Sequence, residues 1–524
     1  MRNTYKFIFV VILILLVSSC SRSNTNNHEE ETNEDRIGGS NTNYHEEADE
    51  GGIITKVLTI NAADVYLSTL DIAVEMLNAD WNERGYPYRL EIDVQTYTLP
   101  RFREWHTEEF MLFREMYTNR LRIELMSGIG PDLIFNNLHL PLHNFAQRGH
   151  LMDFGTLIDN CPVTSRDDFF MNALEAYEFF DGIYSLPLKF YLTYVGINTT
   201  MSQHFIDKFA EFSYITVSDF MRMYLEYLEY AYDMNEQPMT YAAGSIFLHS
   251  SFNIDSTFML SRNHALLIGS GNFLDFNTHT ASFNQSEFIE FLELSVEFYQ
   301  RIPVIIPTFE NMGAVNVINP LLGFGNIRAN AQHAMFHTSV VSLQPLNVFL
   351  GGDIPFDHHV PLANDHGHLV FNTVTDIWIP AGRNSELAWE FTRHLIAAYS
   401  SPIERVAPTF TDLPVTMFHS HSWGREDFGI PIQRTLFRRH MRGVLGTAQV
   451  RHAFGFETMD DFAIAVNAAV DRMYEYANMP MALHRPLIPS NLITEPFDEF
   501  SLGLIPLTEA INRIQNTISL WLIE

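Results

Sequence analysis

The sequence predicts an α/β protein built as two lobes, and three observations carry that prediction. Its 524 residues exceed what one hydrophobic core usually holds. The folded part opens in strand–helix–strand order, which favours a parallel sheet covered by helices. Residues 181–198 then read as one strand ending at Pro187 and a second beginning just past it. Proline cannot donate to a sheet ladder, so the chain crosses from one sheet to another there.

Taken in order, residues 1–20 read as an export signal. Arg2 and Lys6 precede an unbroken apolar run from Phe7 to Val17, and these eleven residues are too short to span a bilayer, which needs about 20. Val17-Ser18-Ser19-Cys20 resembles a bacterial lipobox, so Cys20 is the expected lipid attachment point, anchoring the protein at the outer membrane face. Residues 21–52 are polar and acidic and bury too little to fold, so they read as a disordered tether.

Residues 56–62 read as a buried strand and 68–81 as a helix with Leu70, Ala73, Val74, Leu77 and Trp81 on one face. Residues 89–97 alternate as a second strand. A helix over 110–126 stops at Gly128 and leads through Pro131-Asp132 into a short apolar strand. Asp181-Gly182 reads as a turn whose positive φ falls to the glycine. Ser218 is the expected cap of a helix to Tyr232, Ser286 opens another, and residues 370–380 read as the return crossing. Asn384 or Ser385, then Thr458 with Asp461, start further helices, and Pro506 starts the last.

Net charge is −31, from 63 acidic and 32 basic side chains, which argues against nucleic acid as a partner. The adjacent carboxylates Glu108-Glu109, Asp167-Asp168 and Asp460-Asp461 read as caps or solvated faces, since glycoside hydrolysis needs carboxylates converging from separate elements. The pairs His419/His421, His358/His359 and His366/His368 lack the further ligands a zinc site requires. Cys161 reads as a buried or half-buried thiol without ligand partners. No cofactor, metal or catalytic constellation is expected.

Several stretches together resemble the extracellular solute-binding proteins of ABC transporters, the carbohydrate-binding, maltose-binding-protein-like group. They are Asp181-Gly182-Ile183-Tyr184-Ser185-Leu186-Pro187; Ser127-Gly128 with Pro131-Asp132-Leu133-Ile134; Gly149-His150-Leu151 with Leu157-Ile158-Asp159; Ala334-Met335; Ala388-Trp389-Glu390-Phe391; and the C-terminal Ile514 to Glu524. Where that group has a glycine after Ala-Met, this chain has Thr338 or Ser339. The resemblance implies a two-lobed periplasmic-binding-protein-like fold (type II), with lobe 1 from 53–187 and 375–405 and lobe 2 from 188–374 and 406–524. It implies capture of a solute, a carbohydrate, in the cleft between lobes and delivery to ABC permease subunits by hinge closure, the protein acting as a monomer on the extracytoplasmic face.

The expected ligand contacts are Asp64 at the carboxyl edge of the first strand, then Asn136, Asn137 and His139 after the Pro-Asp strand. Tyr191 past the crossing, Thr338, Asp376 and Trp378 on the return crossing, and Trp423 in the His-Ser-His-Ser-Trp loop complete the set. Aromatic faces stack on sugar rings and planar polar groups bind hydroxyls, so these residue types suit a sugar ligand. A lipid-anchored enzyme acting on glycans or peptides, and a sensory receptor for a membrane kinase, are the alternative readings.

Overall fold

The computed structural model describes residues 52–63, 67–97, 108–136, 142–197, 202–233, 262–301, 335–339, 358–373, 376–382, 384–399, 429–445, 457–483, 488–489 and 491–523. The signal segment, Cys20 and the tether up to residue 51 lie outside them. So do Asp64, Asn137, His139 and Trp423.

Two principal sheets organise the chain. In the first, Ile54–Ala63 lies between Tyr88–Tyr97 and Leu133–Asn136, parallel to both. The helix between the first two strands, Leu67–Glu83, buries Leu70, Ala73, Leu77 and Trp81 at the spacing read from the sequence. Leu58, Ile60 and Ala62 of the first strand are likewise buried. The Glu108–Ser127 helix ends at Gly128 with φ +71, and Ile129 N–H reaches back to the Glu124 carbonyl. Only glycine adopts that angle without strain, which is how a helix turns sharply into the next strand.

The second sheet is built on Lys189–Ile197. The outer half of that strand is flanked by Met335–Ser339 and His358–Ala363, both antiparallel. Its inner half pairs with Leu369–Thr373 and with Ile430–Pro431. Period-2 alternation then divides the core: Leu369 and Phe371 join one apolar cluster and Val370 the other. On the first face pack Phe437 and Met441, from Arg434–Leu445, and Phe462 to Met473, from Met459–Ala477. On the second pack Val217–Asp233, Ser286–Arg301 and the C-terminal Leu507–Ile523.

Thr458 caps its helix as expected, its hydroxyl accepting from Asp461 N–H at 3.0 Å. The Val217–Asp233 helix departs from expectation. Its cap is Thr216, whose hydroxyl accepts from Asp219 N–H at 3.0 Å, while Ser218 donates to Asp365. At the 178–183 hairpin the positive φ angles fall on Phe180 and Asp181 and not on Gly182. Gly182 serves a different need, because a Cβ there would come within 2.8 Å of the Tyr184 ring.

Candidate functional site

The two sheets exchange chain twice, and the two crossings run side by side. Going out, Leu186–Pro187 belongs to the first sheet and Lys189–Ile197 to the second, with Leu188 as the step between them. Coming back, Leu369–Thr373 belongs to the second sheet and Asp376–Trp378 to the first. The pairing is antiparallel across both: Thr373 opposite Phe190, and Asp376 opposite Pro187. A pair of short strands shared by two sheets is the geometry of a hinge, because rotation there disturbs little packing in either body.

Asp376 also pairs with Asn136, the last residue of Leu133–Asn136. Asn136 stands at the carboxyl end of a parallel strand, where open α/β sheets bind ligands. The fold therefore brings two predicted site positions, Asn136 and Asp376, to one rank at the sheet edge. Asp64 follows directly on the adjoining strand's end at Ala63, outside the described residues.

The Asp376 carboxylate accepts from the Tyr177 hydroxyl at 3.2 and 3.3 Å, and that hydroxyl also lies 2.9 Å from the Thr373 hydroxyl. Burial pushes Asp376 up to about 6, against the opposing pull of the Thr373 and Tyr177 hydrogen bonds. Burial, with the Asp376 charge beside it, in turn holds Tyr177 well above its ordinary value. Among the described residues no cation pairs with Asp376. A carboxylate at a sheet edge answered only by neutral hydroxyls is an acceptor with capacity to spare, suited to hydroxyl or amine donors.

Other expectations are corrected. Tyr191 is only 1% exposed, and a Cβ on Gly429 would meet its ring at 2.8 Å. Trp378 is fully buried, its indole N–H donating to Ser185 Oγ at 3.3 Å and its ring 5.6 Å from Phe145. Both aromatics pack the core around the crossings and present no face to a solute. Thr338 lies in the Met335–Ser339 strand, its backbone opposite Tyr194. Tyr177 and Thr373 were missed by sequence reasoning. Among the described residues no group of three His, Cys, Asp or Glu side chains is disposed to hold a metal ion, and no helix is long and apolar enough to cross a membrane.

No family model and no curated protein matches the sequence. Solved structures do match. The sugar-binding protein MalE from the phytopathogen Xanthomonas citri aligns at TM-score 0.50 and 10% identity, over 89% of this chain and 98% of that one. An extracellular solute-binding protein family 1 member from Alicyclobacillus acidocaldarius aligns at TM-score 0.48 and 10% identity, over 90% and 99%. A cycloalternan-complexed ABC substrate-binding protein from Listeria monocytogenes aligns at TM-score 0.42 and 14% identity, over 88% and 98%. The alignment with MalE, together with the paired sheets and double crossing, defines the class: this chain has the two-lobed α/β fold of periplasmic binding proteins.

Proposed function

We propose that the protein is a lipid-anchored, extracytoplasmic receptor that captures a carbohydrate between its lobes and delivers it to an ABC importer by hinge closure. The lobes of this reading are residues 53–187 with 375–405, and 188–374 with 406–524. Asn136 and Asp376 supply hydroxyl-binding groups on the hinge side of the cleft. Asp64, Asn137, His139, Thr338 and Trp423 are the further proposed contacts, and Cys20 carries the lipid.

The observation that carries the reading is the antiparallel pair of crossings, with a carboxylate at their junction that no cation among the described residues answers. Such a junction lets a ligand that touches both lobes favour the closed state, since only differential affinity for two states shifts their populations. The sugar-binding character of the MalE homologue in fold supports carbohydrate as the solute class. An acidic chain behind a polar, acidic N-terminal stretch suits a receptor kept near, but not adsorbed on, an anionic membrane.

Isothermal titration calorimetry of the full chain against linear and cyclic oligosaccharides, peptides and polyamines tests the proposal. Saturable binding of one oligosaccharide class without its consumption supports it. Binding restricted to peptides or amines, or turnover of the sugar, overturns it.

A further inference from the structure

The Glu108–Ser127 helix has two apolar faces. The inward one packs on the first sheet: Leu121 is buried, Phe113, Tyr117 and Leu125 lie against the same core, and the Tyr117 hydroxyl donates to Asn61 Oδ1 on the first strand. The outward one carries Leu112, Met116, Ile123 and Met126, each between 58% and 65% exposed, and Ile129 follows just past the helix end at 77%. Single exposed apolar side chains are ordinary, but a file of them along one helix face marks an interaction surface.

Spacing makes the file a seam. Leu112, Met116, Asn119, Ile123 and Met126 follow one another at intervals of four, three, four and three residues, the repeat that keeps one stripe turned towards a partner helix. Asn119 is the polar member, and its Oδ1 accepts from Arg122 Nη2 at 3.0 Å, so that carbonyl stays answered when the seam is covered. A polar residue in such a seam costs stability and fixes register. Glu115 and Arg122, both exposed, stand two turns apart and flank the seam on the same side.

That arrangement is self-complementary. In a second copy of the helix laid antiparallel, Leu112 meets Ile123 of the copy, Met116 meets its Asn119 and Glu115 meets its Arg122, and the two-fold axis repeats each contact. Sliding by one heptad sets Arg122 against Arg122 in one direction and Glu115 against Glu115 in the other. A parallel copy sets Glu115 against Arg120, whose guanidinium is already held by Glu124 at 2.6 Å.

We propose that the outward face of this helix is a homodimer interface, two copies packing antiparallel about a two-fold axis. The apolar seam supplies the attraction. The two exposed Glu115–Arg122 pairs each contribute little, and they select orientation and register because the alternatives oppose like charges. A single pair of helices covers less than the about 800 Å² per partner of a standard interface, so the dimer is weak and depends on concentration. This departs from the monomer that the family resemblance implies, and it is independent of the carbohydrate reading.

Sedimentation equilibrium of the full chain across micromolar concentrations tests the interface. Expected is a reversible monomer–dimer equilibrium that Ile123→Lys abolishes. Glu115→Arg and Arg122→Glu, each alone, are expected to weaken it by about tenfold or more, since each opposes like charges twice. The double variant exchanges the two charges and is expected to recover most of the affinity. The altered side chains are exposed, so denaturation midpoints close to wild type are expected throughout. A chain that stays monomeric at every concentration overturns the proposal. If Ile123→Lys then lowers the midpoint, another part of the same chain covers the stripe; if it does not, the stripe belongs to a different protein. A dimer left intact by Ile123→Lys, or a double variant no tighter than either single one, overturns it as well.

Discussion

The outgoing and returning crossings have the same backbone task and opposite chemistry. The outgoing one is mainly apolar: Leu186, Leu188 and Phe190 are buried beside a buried Lys189, and Phe190 has the Phe170 and Phe371 rings at 5.7 Å. The returning one carries Thr373 and Asp376, tied to Tyr177 through hydroxyls. An apolar crossing is held by packing that is indifferent to pH and solute. A carboxylate crossing is held by interactions that protons and ligand donors change. Under the proposed function, the outgoing strand anchors the hinge by packing and the returning strand carries its titratable group.

Breaking the anchor has the largest effect. Phe190→Ala opens a cavity between the Phe170 and Phe371 rings and is expected to cost about 3–5 kcal/mol, read as a lowered denaturation midpoint. The cost is expected to be the same at pH 5 and pH 8, because no titrating group is removed.

Altering the responsive strand acts in the other direction. With Asp376 at about 6 in the folded chain against 3.8 unfolded, the folded state binds the extra proton between those values. Stability from this group is therefore full below about pH 4 and is lost as pH rises through about 6, a change of about 3 kcal/mol at ~1.4 kcal/mol per pH unit. Asp376→Asn is expected to flatten that slope in urea melts across pH 4–7, to leave the chain more stable than wild type at pH 7, and to weaken solute binding. A slope unchanged by the substitution would show that Asp376 does not titrate in that window.

Tyr177→Phe sharpens the comparison with a smaller change. It removes a hydroxyl that favours the charged carboxylate, so the Asp376 transition is expected to move to higher pH, with a loss of about 1–2 kcal/mol at pH 7. Stability below pH 4 is expected to change less, which separates the hydroxyl's effect on charge from its effect on packing.

What the sequence revealed and what it hid divide along the same line. Pro187 between two strand-like runs is a local signal, and it placed the crossing correctly because a missing N–H has the same consequence in any fold. Helix faces such as Leu70–Trp81 were legible for the same reason: periodicity is a property of neighbours in sequence. Tyr191 and Trp378 misled because an aromatic beside a crossing looks alike whether it lines a cleft or fills a core; the covering elements near Gly429 and Phe145 come from distant sequence. The Tyr177–Asp376 contact spans 199 residues, and no spacing rule reaches that far. The position of Asp376 on the return crossing was legible, but that no cation among the described residues pairs with it is a statement about space and not about sequence.

The central claim is that a carbohydrate closes one lobe on the other about these crossings. Small-angle X-ray scattering of the full chain, with and without the oligosaccharide selected by calorimetry, tests it most directly. The account predicts a smaller radius of gyration with saturating sugar, and a weaker response at the same sugar concentration in Asp376→Asn. Saturating, calorimetrically verified binding with no change in scattering would contradict hinge closure.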